Sequence, residues 1–192
     1  MLISKNDTTN IEACIREMEG KHNLHLPDEY RRFLQTYNGG RTPETSFSIK
    51  GMSSDIRAFY STGKPNQQFD ISLIENTPLF SGLINEGLFP IAINSFGDHI
   101  AIGFSEDRCG RIYYCVHDAP MSAVEIASSL QAFIANCHSR RIGYIRSIDE
   151  RIADMQAAGK ADKITEIKLR CWQQEIDEYL DIKQEEVHLP LP

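Results

Sequence analysis

Residues 89–118, FPIAINSFGDHIAIGFSEDRCGRIYYCVHD, decide how the rest of the chain must be arranged. Phe89, Ile91 and Ile93 alternate along the first apolar run, and Ile100, Ile102 and Phe104 along the second. Alternation at period two puts every other side chain on one face of a strand, toward a core. Phe96-Gly97-Asp98 and Asp107-Arg108-Cys109-Gly110 can reverse the chain between the runs, because Gly reaches positive φ without a Cβ clash and Asp bonds to its own backbone. The three runs therefore read as an antiparallel meander.

The two faces of this meander differ in chemistry. With Ile100, Ile102, Ile112, Tyr114 and Val116 turned inward, His99, Ala101, Gly103, Arg111, Tyr113, Cys115 and His117 share the other face. A floor of small residues ringed by Tyr, His and Arg has two readings. Either loops or the C-terminal helices pack over it, or it is a concave protein-binding surface carrying residue types that anchor interfaces. The candidate partner-binding residues are His99, Arg111, Tyr113 and His117, together with Asp98 and Asp118 beside them.

Before the meander, Thr9-x-x-Glu12 has capping-box spacing and predicts a helix carrying Ile11, Ile15 and Met18 on one face, ended by Gly20. Leu26-Pro27-Asp28-Glu29 predicts a second helix start, with Pro at the first helical position and two acids at the positive end of the dipole. Tyr30, Phe33, Leu34 and Tyr37 follow at helical spacing, and Asn38-Gly39-Gly40 supplies a left-handed stop. Thr45 to Ile49 reads as a short strand. From Lys50 to Gly87 the pattern predicts long loops and short helices, with helix-like spacing around Asp55 to Tyr60 and Ile71 to Leu83, interrupted at Gly63-Lys64-Pro65-Asn66 and at Pro78.

After the meander, Ser122-x-x-Glu125 predicts a capped helix with a Met121–Ile126 staple and a stripe of Ala123, Ile126, Ala127, Leu130, Phe133, Ile134 and Cys137. From Ser139 charge becomes denser. Ile145, Ile148, Ile152 and Met155 define one helix, and a second runs from about Ala161 to Glu185 with Leu169, Trp172, Ile176, Tyr179 and Leu180 on one face. The turn Ala157-Ala158-Gly159-Lys160 joins them into an antiparallel hairpin. The organisation expected is a domain over 1–138 and a helical hairpin extension over 139–192.

Composition narrows the function classes. In 192 residues, 41% are hydrophobic and 24% charged, enough apolar surface for one sizeable core. No apolar run reaches bilayer length, and MLISKNDTTN lacks the basic start and apolar middle of a secretory signal, which favours the cytoplasm. A net charge of −7 argues against direct nucleic-acid binding and suits a basic protein partner. The five cysteines are scattered and read as reduced thiols.

No catalytic, cofactor or metal constellation assembles from the residues. His22-x-x-His25 lies between helices with no third ligand at metal spacing. His117-Asp118 ends a strand without the further His and Asp ligands that a phosphohydrolase needs, and Asp98-His99 has no nucleophile elbow. Gly39-Gly40 lacks the spacing and Lys-Ser/Thr ending of a phosphate loop.

Several motifs together resemble a known family. Leu26-Pro27-Asp28-Glu29-Tyr30 with Phe33-Leu34 and Asn38-Gly39-Gly40 is similar to its "LPxxYxxFLxxxNGG" helix. Leu88-Phe89-Pro90-Ile91-Ala92, Phe96-Gly97-Asp98, Gly110-Arg111-Ile112-Tyr113-Tyr114 and His117-Asp118 resemble its "LPIA…GD…G.VYYWDH" sheet, although Cys115-Val116 stands where members often carry the Trp of that run. Residues 126–134 resemble its closing helix. The family is the SUKH superfamily, the SMI/KNR-type domain, and the likeness covers about Ile11 to Cys137. It implies an α+β fold, with helices packed on one face of a mostly antiparallel sheet. For function it implies a bacterial immunity protein that binds and neutralises a cognate toxin domain, such as a nuclease or deaminase, stoichiometrically and without chemistry or cofactor. The alternative is a regulatory scaffold like the fungal cell-wall regulators, docking or forming a homodimer through the C-terminal hairpin.

Overall fold

In chain order the elements are β1 (Leu2–Lys5), α1 (Ile11–His22), α2 (Asp28–Tyr37), β2 (Gly40–Ile49), β3 (Met52–Phe59), α3 (Pro78–Asn85), β4 (Leu88–Ile93), β5 (His99–Gly103), β6 (Ile112–Cys115), β7 (Val124–Ala127), α4 (Leu130–Ala135), β8 (Cys137–Ser139), α5 (Ile148–Ala157), α6 (Glu166–Leu180) and β9 (Glu185–Glu186). The structure is a computed structural model that describes residues 1–65, 67–118, 122–180 and 182–190. All strands join one sheet in the order β7-β6-β5-β4-β3-β2-β1-β9, with β8 added beside β2. Every pairing between these strands is antiparallel. The α+β class and the meander hold, with Ile100 opposite Tyr114 and Ile102 opposite Phe89 and Ile112.

One face of the sheet carries the main core. Ile15 and Met18 of α1, Tyr30, Phe33 and Leu34 of α2, and Leu130, Phe133 and Ile134 of α4 meet Phe47, Phe59, Phe89, Ile91, Ile100, Ile102 and Ile112. Rings interlock there: Phe33 lies 4.9 Å from Phe59, and Phe47 5.3 Å from Phe133 in an edge-on contact. Each large apolar side chain so buried contributes about 1.5–3 kcal/mol of transfer free energy. Glu29 ties two helices together, because its carboxylate accepts the Leu130 and Gln131 amides and caps α4 alongside Ser129.

Gly40 sits where three strands converge, opposite Lys5 on β1 and Phe59 on β3. Its φ is 129°, and a Cβ there would stand 2.1 Å from the Ser4 carbonyl oxygen. No other residue fits so close a backbone approach.

Several local expectations give way to pairing. Asp55–Phe59 is strand rather than helix-like, because Lys50 and Gly51, both at positive φ, form a two-residue hairpin loop that folds β3 back on β2. Pro78 does not break a helix but starts α3, behind the Thr77 cap. Ser122-x-x-Glu125 starts no helix: Val124–Ala127 pairs with β6 as an edge strand, and the helix begins after Ser129. Met121, the other half of the expected staple, lies outside the described residues. At α1, Thr9 donates to Asp7 instead of closing a box, Asn10 takes the cap position, and the helix runs past Gly20 to a left-handed Asn23. Pro27 precedes α2 by one residue.

The C-terminal hairpin forms from α5, with a complete Ser147–Glu150 capping box, and α6. Its second helix is Glu166–Leu180, shorter at both ends than the expected span from Ala161 to Glu185. Beyond it, Glu185–Glu186 joins β1 as β9, and Val187 enters the main core. Likewise β8 spans residue 138, so the chain on either side of that position belongs to one sheet. Among the described residues no helix is long and apolar enough to cross a membrane.

Candidate interaction surface at the β4–β5 turn

The turn between β4 and β5 is built around Asn94, whose side chain is buried. Its Oδ1 accepts the amides of Phe96 (2.9 Å) and Asp98 (2.8 Å), and its Nδ2 lies within bonding distance of Ser54 Oγ, Asp98 Oδ2 and Tyr114 Oη. The Ser95 amide and hydroxyl both donate to Asp55 Oδ2. Gly97, at φ 90°, completes the reversal. A turn fixed by so many bonds presents Phe96, which is 75% exposed, as a rigid apolar knob.

Asp98 connects this turn to the end of β6. Tyr114 Oη donates to its Oδ2, while the amide of His117 (3.0 Å) and His117 Nδ1 (2.8 Å) reach Oδ1. Burial opposes ionisation of Asp98, but the bonds from Tyr114, His117 and Asn94 outweigh it and hold the carboxyl well below its ordinary range. His117 is correspondingly raised, first by the Asp98 bond and then, against some desolvation, by the charges of Asp118 and Asp98. Its Nε2 stands 3.1 Å from Asp118 Oδ1, so both ring nitrogens face carboxylates.

The structure thus brings Asp98, His117 and Asp118 together and separates the remaining candidates. His99 is buried, stacked on the Tyr60 ring and 3.1 Å from its hydroxyl. Burial pushes its pKa down to about 4. Tyr113 is also buried, in a second cluster with Leu83, Leu88, Ala101 and Cys115, and the Arg108 guanidinium lies 5.6 Å from its ring centre. The outer face deduced from alternation exists, but α3 covers it through Leu83, and Leu79 packs at its margin. Arg111 stands at the opposite end of β6, up to about 20 Å from His117 at ~3.3 Å per residue, paired with Glu125 at 3.0 Å.

Asn94, Tyr114 and Phe96 are the members that sequence reasoning passed over as site residues. Asn94 four residues before Asp98, across a Gly-containing turn, is the signal that marks a side-chain-braced loop. The two histidines of His22-x-x-His25 address different carboxylates, Glu75 and Glu19. Among the described residues no group of three or more His, Cys, Asp or Glu is placed to hold a metal ion. The arrangement places an exposed aromatic, Phe96, beside a polar cluster with acidic character.

A sequence model of the SMI1 / KNR4 family (SUKH-1) matches residues 12–136. The matched region runs from α1 through α4 and includes the braced turn, while α5 and α6 fall outside it. No curated protein matches the chain.

Proposed function

The chain belongs to the SMI1 / KNR4 family (SUKH-1), and on that premise we propose that it is an immunity protein, binding a cognate toxin domain and blocking it stoichiometrically. Members of this family generally act as immunity proteins against polymorphic toxins. The observation that carries the reading to a place on this chain is Phe96, a large apolar side chain held in the open by the Asn94–Asp98 frame. Such an anchor adds little to folding and a great deal to an interface. His117 and Asp118 beside it supply a polar rim, and the net charge of −7 favours encounter with a basic partner domain such as a nuclease.

The test is co-expression with each toxin domain encoded beside the gene. Protection against one of them, with a 1:1 complex by light scattering, is the expected result, and protection against none overturns the reading. Within such a complex Phe96→Ala lowers affinity by about 2 kcal/mol or more, roughly 30-fold. Calorimetric titration measures this, while the unfolding midpoint of the free variant stays near that of the parent chain.

A second reading, a scaffold acting through the C-terminal hairpin, is favoured by one observation: α5 and α6 contain no buried residue, and Ile167 and Leu180 are largely exposed. Deleting residues 140–182 and joining the ends with a short flexible linker would abolish partner binding or self-association on this reading. It leaves toxin protection intact on the first.

A further inference from the structure

The ring of His117 stands between two carboxylates of very different exposure. Nδ1 lies 2.8 Å from Asp98 Oδ1, and Nε2 lies 3.1 Å from Asp118 Oδ1. The Asp98 side chain is 12% exposed and is fixed further by Tyr114 and Asn94, whereas that of Asp118 is 83% exposed. A Cβ placed on Gly97 would come within 3.9 Å of His117 Cγ, so the ring packs on the turn that presents Phe96.

A neutral imidazole carries one N–H and one bare lone pair, and only the imidazolium donates from both nitrogens. Two carboxylates set against the two ring nitrogens are therefore satisfied together in one protonation state alone. Burial decides which contact fails when the proton leaves. An unpaired carboxylate costs most where water cannot reach it, so the remaining proton stays on Nδ1 against Asp98. The Nε2 lone pair then faces the Asp118 carboxylate and repels it into solvent.

We propose that His117 is a proton-operated latch: as the imidazolium it closes Asp118 onto the β4–β5 turn, and as the neutral ring it releases Asp118 while keeping Asp98. The charged groups that act on the ring are these two carboxylates, one from the turn and one from its own loop. His99 on β5 feels the ring's charge, and Tyr114 on β6 reaches it through Asp98. The bond to Asp98, and then the charges of Asp118 and Asp98 against some desolvation, raise the ring above its ordinary 6.5, so the latch opens on the alkaline side of that value. Latched, the three groups carry one net negative charge; released, they carry two, with Asp118 free to accept a donor. The consequence for a partner rests on the reading of this turn as the contact surface, and the latch itself does not.

The experiment needs no toxin. The full chain, isotopically labelled, is titrated with pH by nuclear magnetic resonance, and the His117 ring nitrogens and the side-chain carboxyl carbons are followed. In the expected result the neutral ring keeps its proton on Nδ1 and bares Nε2. The Asp118 carboxyl signal moves with the same midpoint as the ring, and that midpoint lies above 6.5. Asp118→Asn, at an exposed position, lowers the midpoint and leaves the proton of the neutral ring on Nδ1. The readouts on the parent chain do not depend on the variant folding. A neutral ring protonated on Nε2, a midpoint at or below 6.5, an Asp118 signal indifferent to the ring, or an unchanged midpoint in the variant would each overturn the latch. A chain whose latch titrates in this way yet protects against no neighbouring toxin keeps the latch and loses the immunity reading; protection by a chain without the coupled titration does the reverse.

Discussion

The β4–β5–β6 meander and the α5–α6 hairpin are both amphipathic, yet they end in opposite physical conditions. All of β5 and β6 is buried, whereas no residue of α5 or α6 is. The hairpin's apolar residues Ile152, Met155, Leu169, Trp172 and Ile176 are only half-covered, and Arg151 bridges the two helices by pairing with Glu175 and lying over the Trp172 ring. Amphipathic periodicity specifies which side a residue takes. How deeply that side is covered depends on how many layers lie above it.

The strongest way to break the comparison is truncation in each region. Phe33→Ala, beneath the sheet, should cost about 3–5 kcal/mol. Ile176→Ala, in the hairpin, should cost about 1 kcal/mol or less, because a half-exposed side chain loses less transfer free energy and leaves no sealed cavity. Urea midpoints at constant m-value measure both. Equal losses would mean that the hairpin is covered in solution, by a second copy or otherwise.

Next in size is the polar frame. Asp98→Ala leaves Tyr114 and Asn94 without their shared acceptor and should lower stability by about 1–3 kcal/mol. No single polar deletion in the exposed hairpin network, where surface pairs are worth about 0–1 kcal/mol, should match it.

The two histidines sharpen the contrast within the meander itself. The folded pKa of His99 is depressed to about 4 from an ordinary 6.5, so its neutral, buried state costs stability as pH falls from 6.5 toward 4. That of His117 is raised, so its contribution is fully present below 6.5 and is lost as pH rises through the folded value. The Asp98 contribution persists above the ordinary carboxyl value of 3.8 and is lost only below it. Accordingly His99→Gln should flatten the loss of stability between pH 6.5 and 4, whereas His117→Gln should leave that slope unchanged and abolish the loss that His117 causes as pH rises above 6.5. Denaturation curves taken on both sides of pH 6.5 distinguish them.

The smallest effect belongs to the contact that holds the hairpin to the sheet. Arg41→Ala removes the bonds to Glu178 and should change global stability by less than about 1 kcal/mol. It should nevertheless accelerate proteolysis within residues 140–182, readable by gel and mass spectrometry, because local opening need not involve the core.

Much of this architecture was legible in the sequence because strand alternation and helical spacing are local. Ile100, Ile102, Phe33 and Phe133 declare their burial by period alone. What escaped was set by pairing partners distant in the chain. Val124–Ala127 reads as the start of a helix until β6 is beside it, and Lys50-Gly51 is an inconspicuous dipeptide until its two positive φ values join β2 to β3. At the site, His117, Asp98 and Asp118 came from motif and face. The burial of His99 and Tyr113 could not be read, because α3, which covers that face, comes from the least patterned stretch of the chain.

The pairing of β1 with β9 bears on the order in which the molecule assembles. Ile102 finds Ile112 ten residues away, but Leu2 must find Glu186, and Val187 reaches the core only after nearly the whole chain has been drawn back. Closing so long a loop is entropically costly until the rest of the sheet exists to receive it, so the order expected has the meander forming first and the β1–β9 edge closing last. A ribosome still holding the final strand would carry a nascent domain whose β4–β6 centre is formed and whose margin is open.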